Sequence, residues 1–110
     1  MAIEWSRYEL IIAMEFYYQC PERTHTDSHA KCKEVAEMLD RTPGALDRTI
    51  RNIKFADTQD VGLSHASQSI RNLVEEYRDN RQGLLAEAAK IRADNGWPPL
   101  DCGDNPTLPI

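Results

Sequence analysis

The sequence predicts an all-α fold of about five helices. Apolar residues recur at helical spacing in five stretches, helix-start and helix-stop residues bracket those stretches, and no stretch reads as a strand. A chain of 110 residues, 41% hydrophobic and 28% charged, suffices for one core but not two. Residues 1–96 are therefore read as one helical domain and residues 97–110 as an irregular tail.

The first helix opens on Ser6-x-x-Glu9, a reciprocal N-terminal cap, with Trp5 placed to staple against Leu10. Leu10, Ala13, Met14 and Tyr17 form one face, while Ile11, Ile12, Phe16 and Tyr18 cover much of the remainder. A helix apolar nearly all round belongs at the centre of a fold or in a dimer contact. Pro21 ends it. Asp27 or Ser28 is the expected cap of the second helix, whose buried stripe is Cys32, Val35, Ala36 and Leu39.

Thr42 followed by Pro43 starts the third helix, since Thr caps and Pro fits the first helical position. Leu46, Ile50 and Ile53 point inward at i, i+4, i+7, leaving Gly44, Arg48, Arg51 and Asn52 on the opposite side. Asp57 to Leu63, with Gly62 and no periodicity, reads as a loop. Ser64 or Ser67 is expected to cap the fourth helix, with Ile70, Leu73, Val74 and Tyr77 inward. Asp79 and Asn80 cap the fifth, with Leu84, Ala88 and Ile91 inward and Gly96 in the stop position. Four prolines in the fourteen residues from Trp97 onward exclude a further helix, and Trp97 is expected to fold back onto the core.

The second and third helices, joined by Asp40-Arg41-Thr42, have the spacing of a helix-turn-helix. The net charge is −5, yet between Arg41 and Lys54 four cations face only Asp47. Positive charge gathered on one helix of an acidic chain points that helix at phosphates. Arg48 and Arg51 could read guanine and Asn52 adenine in the major groove. Gly44 and Ala45 would permit close approach, and the first-turn amides from Thr42 would favour a phosphate oxygen. Arg41 and Lys54 would hold phosphates at either end. Asp47 would accept from cytosine or stay clear of the duplex. The plainer alternative is a solvated basic face, or a helix pair used for protein contact.

Cys20, His25, His29 and Cys32 place four zinc-type donors within thirteen residues. The spacing matches no standard finger, and Cys32 also belongs to an apolar stripe, so a metal-free reading with a buried Cys32 is favoured. Three cysteines do not form a dense disulfide framework, and a reducing cytoplasm is the simpler expectation. No apolar run approaches the ~20 residues of a membrane span. MAIEWSRYEL lacks the basic region and apolar block of a secretory signal. No phosphate loop, nucleophile elbow or acid–base motif is found, so no enzyme is expected. Glu75, Glu76, Asp101 and Asp104 read as solvated, and His65 as helix-start chemistry.

WSRYELIIAMEFY, KEVAEMLDRTPGALDRTIRNIKFAD and GLSHAS together resemble the helical domain that precedes the nuclease domain in some HNH-type, modification-dependent restriction endonucleases. The resemblance runs from Trp5 to about Gly96, and the Trp5 opening and RTPGAL turn are also similar to Myb-like and other helix-turn-helix domains. It implies DNA engagement through Arg48, Arg51 and Asn52. No histidine follows His65, so the resemblance implies no cleavage. The expectation is a small helix-turn-helix protein on double-stranded DNA, a regulator or part of a restriction or mobile-element system, possible as a homodimer. The alternative is an adaptor or inhibitor of a nuclease partner that does not touch DNA.

Overall fold

The computed structural model describes residues 4–58 and 68–102. Among them are α1 (Arg7–Gln19), α2 (Ala30–Met38), α3 (Pro43–Thr58), α4 (Gln68–Tyr77) and α5 (Arg81–Asp94), with a 3-10 turn at Glu22–His25 and no strand. The all-α class is as expected. The loop expected over residues 59–63, the caps expected at Ser64 and Ser67, and residues 103–110 of the tail lie outside the described residues.

Helix α1 is the hub. Its capping box is complete: Ser6 Oγ accepts from the Glu9 amide, and Glu9 Oε1 accepts from the Ser6 amide at 2.9 Å. Every residue from Glu9 to Phe16 is buried, because α3, α4 and α5 all pack on this one helix. Trp5 and Trp97 are half-buried against the same core, Trp97 folding back as expected to lie 6.4 Å from the Tyr8 ring.

Surrounding a helix on all sides also buries its polar positions, and α1 carries two carboxylates inside. Each is met by an arginine from far along the chain. Arg41 grips Glu9 with two prongs, Nε to Oε2 at 2.8 Å and Nη2 to Oε1 at 2.9 Å, while its Cζ lies 4.7 Å from the Trp5 ring centroid. Arg92 donates Nε to Glu15 Oε1 at 2.9 Å and Nη1 to the Pro98 carbonyl at 2.9 Å, tying α5 and the tail to α1. The two partners respond differently. Burial pushes Glu9 upward, but the Arg41 bonds and the Ser6 amide outweigh it and hold its pKa below the ordinary value. For Glu15 burial dominates, and the Arg92 charge does not fully offset it, so its pKa is raised.

The helix ends follow local chemistry. Helix α2 stops in a Schellman arrangement, with the Asp40 amide on the Glu37 carbonyl and the Arg41 amide on the Ala36 carbonyl at 2.9 Å. This puts Asp40 at φ 59°, a left-handed conformation that glycine would adopt with less strain. Helix α5 ends the same way with Gly96 at φ 72° and the Trp97 amide on the Arg92 carbonyl at 2.8 Å. Its start is capped by Asn80, whose Oδ1 accepts from the Gly83 amide at 3.1 Å.

Three expectations are corrected. The cap of α2 is His29, neither Asp27 nor Ser28: its Nδ1 accepts from the Lys31 amide at 3.0 Å, while the Asp27 amide is engaged elsewhere. Helix α3 runs on through Asp57 and Thr58, expected as loop, because the hydroxyls of Tyr17 and Tyr18 bind the Asp57 carboxylate at 3.0 and 2.8 Å. Cys20 and Cys102 form a disulfide with Cα atoms 5.4 Å apart, where free thiols were expected. Only the fold brings together two residues 82 positions apart. Such bonds persist in oxidising surroundings. No helix among the described residues is long and apolar enough to cross a membrane.

Two outcomes test this framework. Arg92→Met leaves Glu15 buried without its partner and should cost about 3–5 kcal/mol in urea unfolding, whereas adding Glu15→Leu should recover much of that loss. A single-variant loss below about 1 kcal/mol contradicts the role given to the pair. Cys102→Ser, or reduction of the wild type, should lower Tm by at least about 5 °C, since closing so long a loop is worth up to about 4 kcal/mol. Equal Tm values with and without reductant contradict the bond.

Candidate nucleic-acid interface on α3

Helix α3 buries Leu46, Thr49, Ile50 and Ile53, which fixes the direction of everything else on it. Leu46 and Ile53 are fully enclosed, and the Thr42 hydroxyl accepts from the Ala45 amide at 3.1 Å to start the helix. Opposite this stripe, Arg48 is exposed and has no hydrogen-bond or ion-pair partner among the described residues. Arg51 is exposed over 69% of its side chain, and Asn52 is half-buried beside it. These three share the outward surface the sequence assigned to them.

The remaining candidates are placed differently. Arg41 is turned into the protein by Glu9 and the Glu4 carbonyl, so it fastens α1 to the turn rather than facing outward. Lys54 is exposed but its Nζ sits 2.7 Å from Glu22. Gly44 and Ala45 are partly covered, and a side chain at Gly44 would point at the Asp27 carboxylate 4.0 Å away. An anion approaching the first turn of α3 would meet that carboxylate, which removes the expected advantage of the Thr42 to Ala45 amides. The outward surface is thus centred on the middle of the helix.

Asp47, ambiguous in the sequence, has a structural task. Its Oδ2 accepts from the Asp27 amide at 3.0 Å and its Oδ1 from Arg51 Nε at 3.0 Å. It pins the loop before α2 to α3 and leaves Arg51 in an i,i+4 pair whose guanidinium is exposed, a kind that contributes little and is easily exchanged.

The four zinc-type donors are not gathered around a common point. Cys20 is bonded to Cys102, His25 Nε2 contacts the Phe16 carbonyl at 3.2 Å, and His29 caps α2. Cys32 is enclosed between α2 and α3, and burial pushes its thiol up to about 11, away from the thiolate a metal needs. No group of three or more His, Cys, Asp or Glu placed to hold a metal occurs among the described residues.

Sequence reasoning missed a cleft of about 650 Å³ beside α3. Tyr17 and Tyr18 from α1, His25 from the 3-10 turn and Phe55 from α3 form its aromatic wall, and Arg51, Lys54 and Arg81 stand around it. Paired tyrosines at the end of a helix already apolar on every side were the available signal. Arg81, at the first position of α5, carried none.

His25 lies beneath this cleft, its ring edge-on to Phe16 at 5.0 Å. Burial lowers its pKa below 6.5, and the Phe16 and Cys20 carbonyls with the Glu22 and Asp47 charges oppose that only in part. A depressed histidine pKa means the stabilising neutral form is present above the unfolded value and lost as pH falls through it towards the folded value. Unfolding midpoints should therefore drop between pH 7.5 and 5.5 in the wild type, and drop less in His25→Gln; parallel slopes would contradict this.

No family model, curated protein or solved structure matches the chain, so its functional reading rests on the geometry of α3 and the cleft.

Proposed function

We propose that the protein binds double-stranded DNA through the middle of α3, as a small regulator or as the DNA-engaging unit of a restriction or mobile-element system. The observation that supports this most is the exposure of Arg48 and Arg51 on the side of α3 turned away from Leu46, Ile50 and Ile53. A helix presented in this way fits the major groove, where arginine takes guanine O6 and N7 with two bonds. Asn52 stands on the same side, and Lys54, freed from Glu22, could take a phosphate at the helix end. Arg41 is left out of the reading surface. A second copy of the chain would supply the contacts that one helix lacks.

A second reading has a specific observation behind it. Glu22, Asp27 and Asp47 alternate with Arg48, Arg51 and Lys54 around this face, so its charge is nearly balanced. A mosaic of that kind suits a protein partner, such as a nuclease held or inhibited by docking.

Duplex binding separates the two. Anisotropy titrations with a labelled duplex should show an affinity that falls steeply as salt rises, because phosphate contacts release counterions, whereas a face used only for a protein partner should bind no duplex even at low salt. Arg48→Ala and Arg51→Ala should each weaken binding by about 1–3 kcal/mol if they read bases. Duplex affinity unchanged in the double variant would remove α3 as the reader.

A further inference from the structure

The cleft beside α3 combines an aromatic wall with cations around it. Its volume of about 650 Å³ falls within the usual range for small-molecule sites. One wall is built from rings in mutual contact: Tyr17 to Tyr18 at 4.8 Å between centroids, and Tyr17 to His25 at 6.0 Å. Both tyrosine hydroxyls are committed to Asp57, which holds the rings in place and satisfies that carboxylate outside the lining. The guanidinium of Arg81 lies over the Tyr18 ring, 3.8 Å from its centroid, and adds a cationic plane to an aromatic wall whose rings are tilted to one another by 59° and 39°.

The charges differ in how firmly they are held. Both oxygens of Asp47 are engaged, by the Asp27 amide and by Arg51. Glu22 is 77% exposed and pairs with a Lys54 that is half exposed, so an incoming anion can take its place at little cost. Arg81 faces a ring rather than a carboxylate, leaving its charge available to a ligand.

We infer that this cleft is a binding site for a small planar aromatic anion, whose ring packs on the Tyr17–Tyr18–Arg81 surface and whose negative group is taken by Lys54 and Arg81. A neutral ring would leave Arg81 without a counter-charge, and a bare anion would leave the aromatic wall uncovered. Two sources share this chemistry, a nucleoside monophosphate and an aromatic carboxylic acid. The site holds whether or not α3 engages a duplex, and its test contains no DNA.

Calorimetric titration of the full chain with adenosine 5′-monophosphate and with salicylate gives the direct measurement, with adenosine and inorganic phosphate as single-feature controls. At least one aromatic anion should bind with Kd below about 1 mM, and each control should bind at least roughly tenfold more weakly. Which anion binds identifies the source. Lys54→Gln and Arg81→Gln, both at exposed positions, should each weaken binding roughly tenfold. Amide and ring resonances of Tyr17, Tyr18 and Phe55 should shift on titration in the wild type. Binding of neither anion, equal binding of adenosine, or affinity unchanged in both variants would overturn the inference.

Discussion

The whole arrangement depends on α1 being surrounded. A helix with apolar residues on nearly every side has no surface to give to water, so α3, α4 and α5 must close around it. That requirement also traps Glu9 and Glu15 inside, and a trapped carboxylate is tolerable only with a partner of opposite charge. Arg41 and Arg92 supply those partners from the turn before α3 and from the end of α5. The two ion pairs therefore do more than neutralise charge. They define where the turn and the tail can sit, and with them the placing of α3.

This constraint shapes the outward face of α3. Arg41 lies in the stretch that concentrates positive charge, yet it belongs to the interior because Glu9 needs it more than solvent does. What remains outside is Arg48, Arg51 and Lys54, a smaller basic surface than the charge count suggested. Asp47 then spends its carboxylate on holding the preceding loop, which lets a negative residue sit within a basic helix without closing that helix to a polyanion.

Most features set within one helical turn or one loop were readable from the chain, the cap of α2 at His29 being the exception. The Ser6–Glu9 cap, the Thr42-Pro43 start, the Asn80 cap, the Gly96 stop and the inward stripes of all five helices depend on residues no more than seven positions apart, and each stands where the spacing put it. Contacts that depend on the fold were not readable. Glu9 with Arg41, Glu15 with Arg92, Tyr17 and Tyr18 with Asp57, and Cys20 with Cys102 join residues between 32 and 82 positions apart, and no local pattern marks them. The candidate interface divided along the same line. The helix face was legible, while its counter-charges and the neighbouring cleft came from elements distant in sequence.

The bond between Cys20 and Cys102 turns the chain from the end of α1 to the tail into a covalent ring. A protease that nicks this ring once does not release a fragment, because both sides of the cut stay attached through sulfur. The clipped molecule keeps its parts at high effective concentration and can hold its shape, coming apart only where a reductant is present.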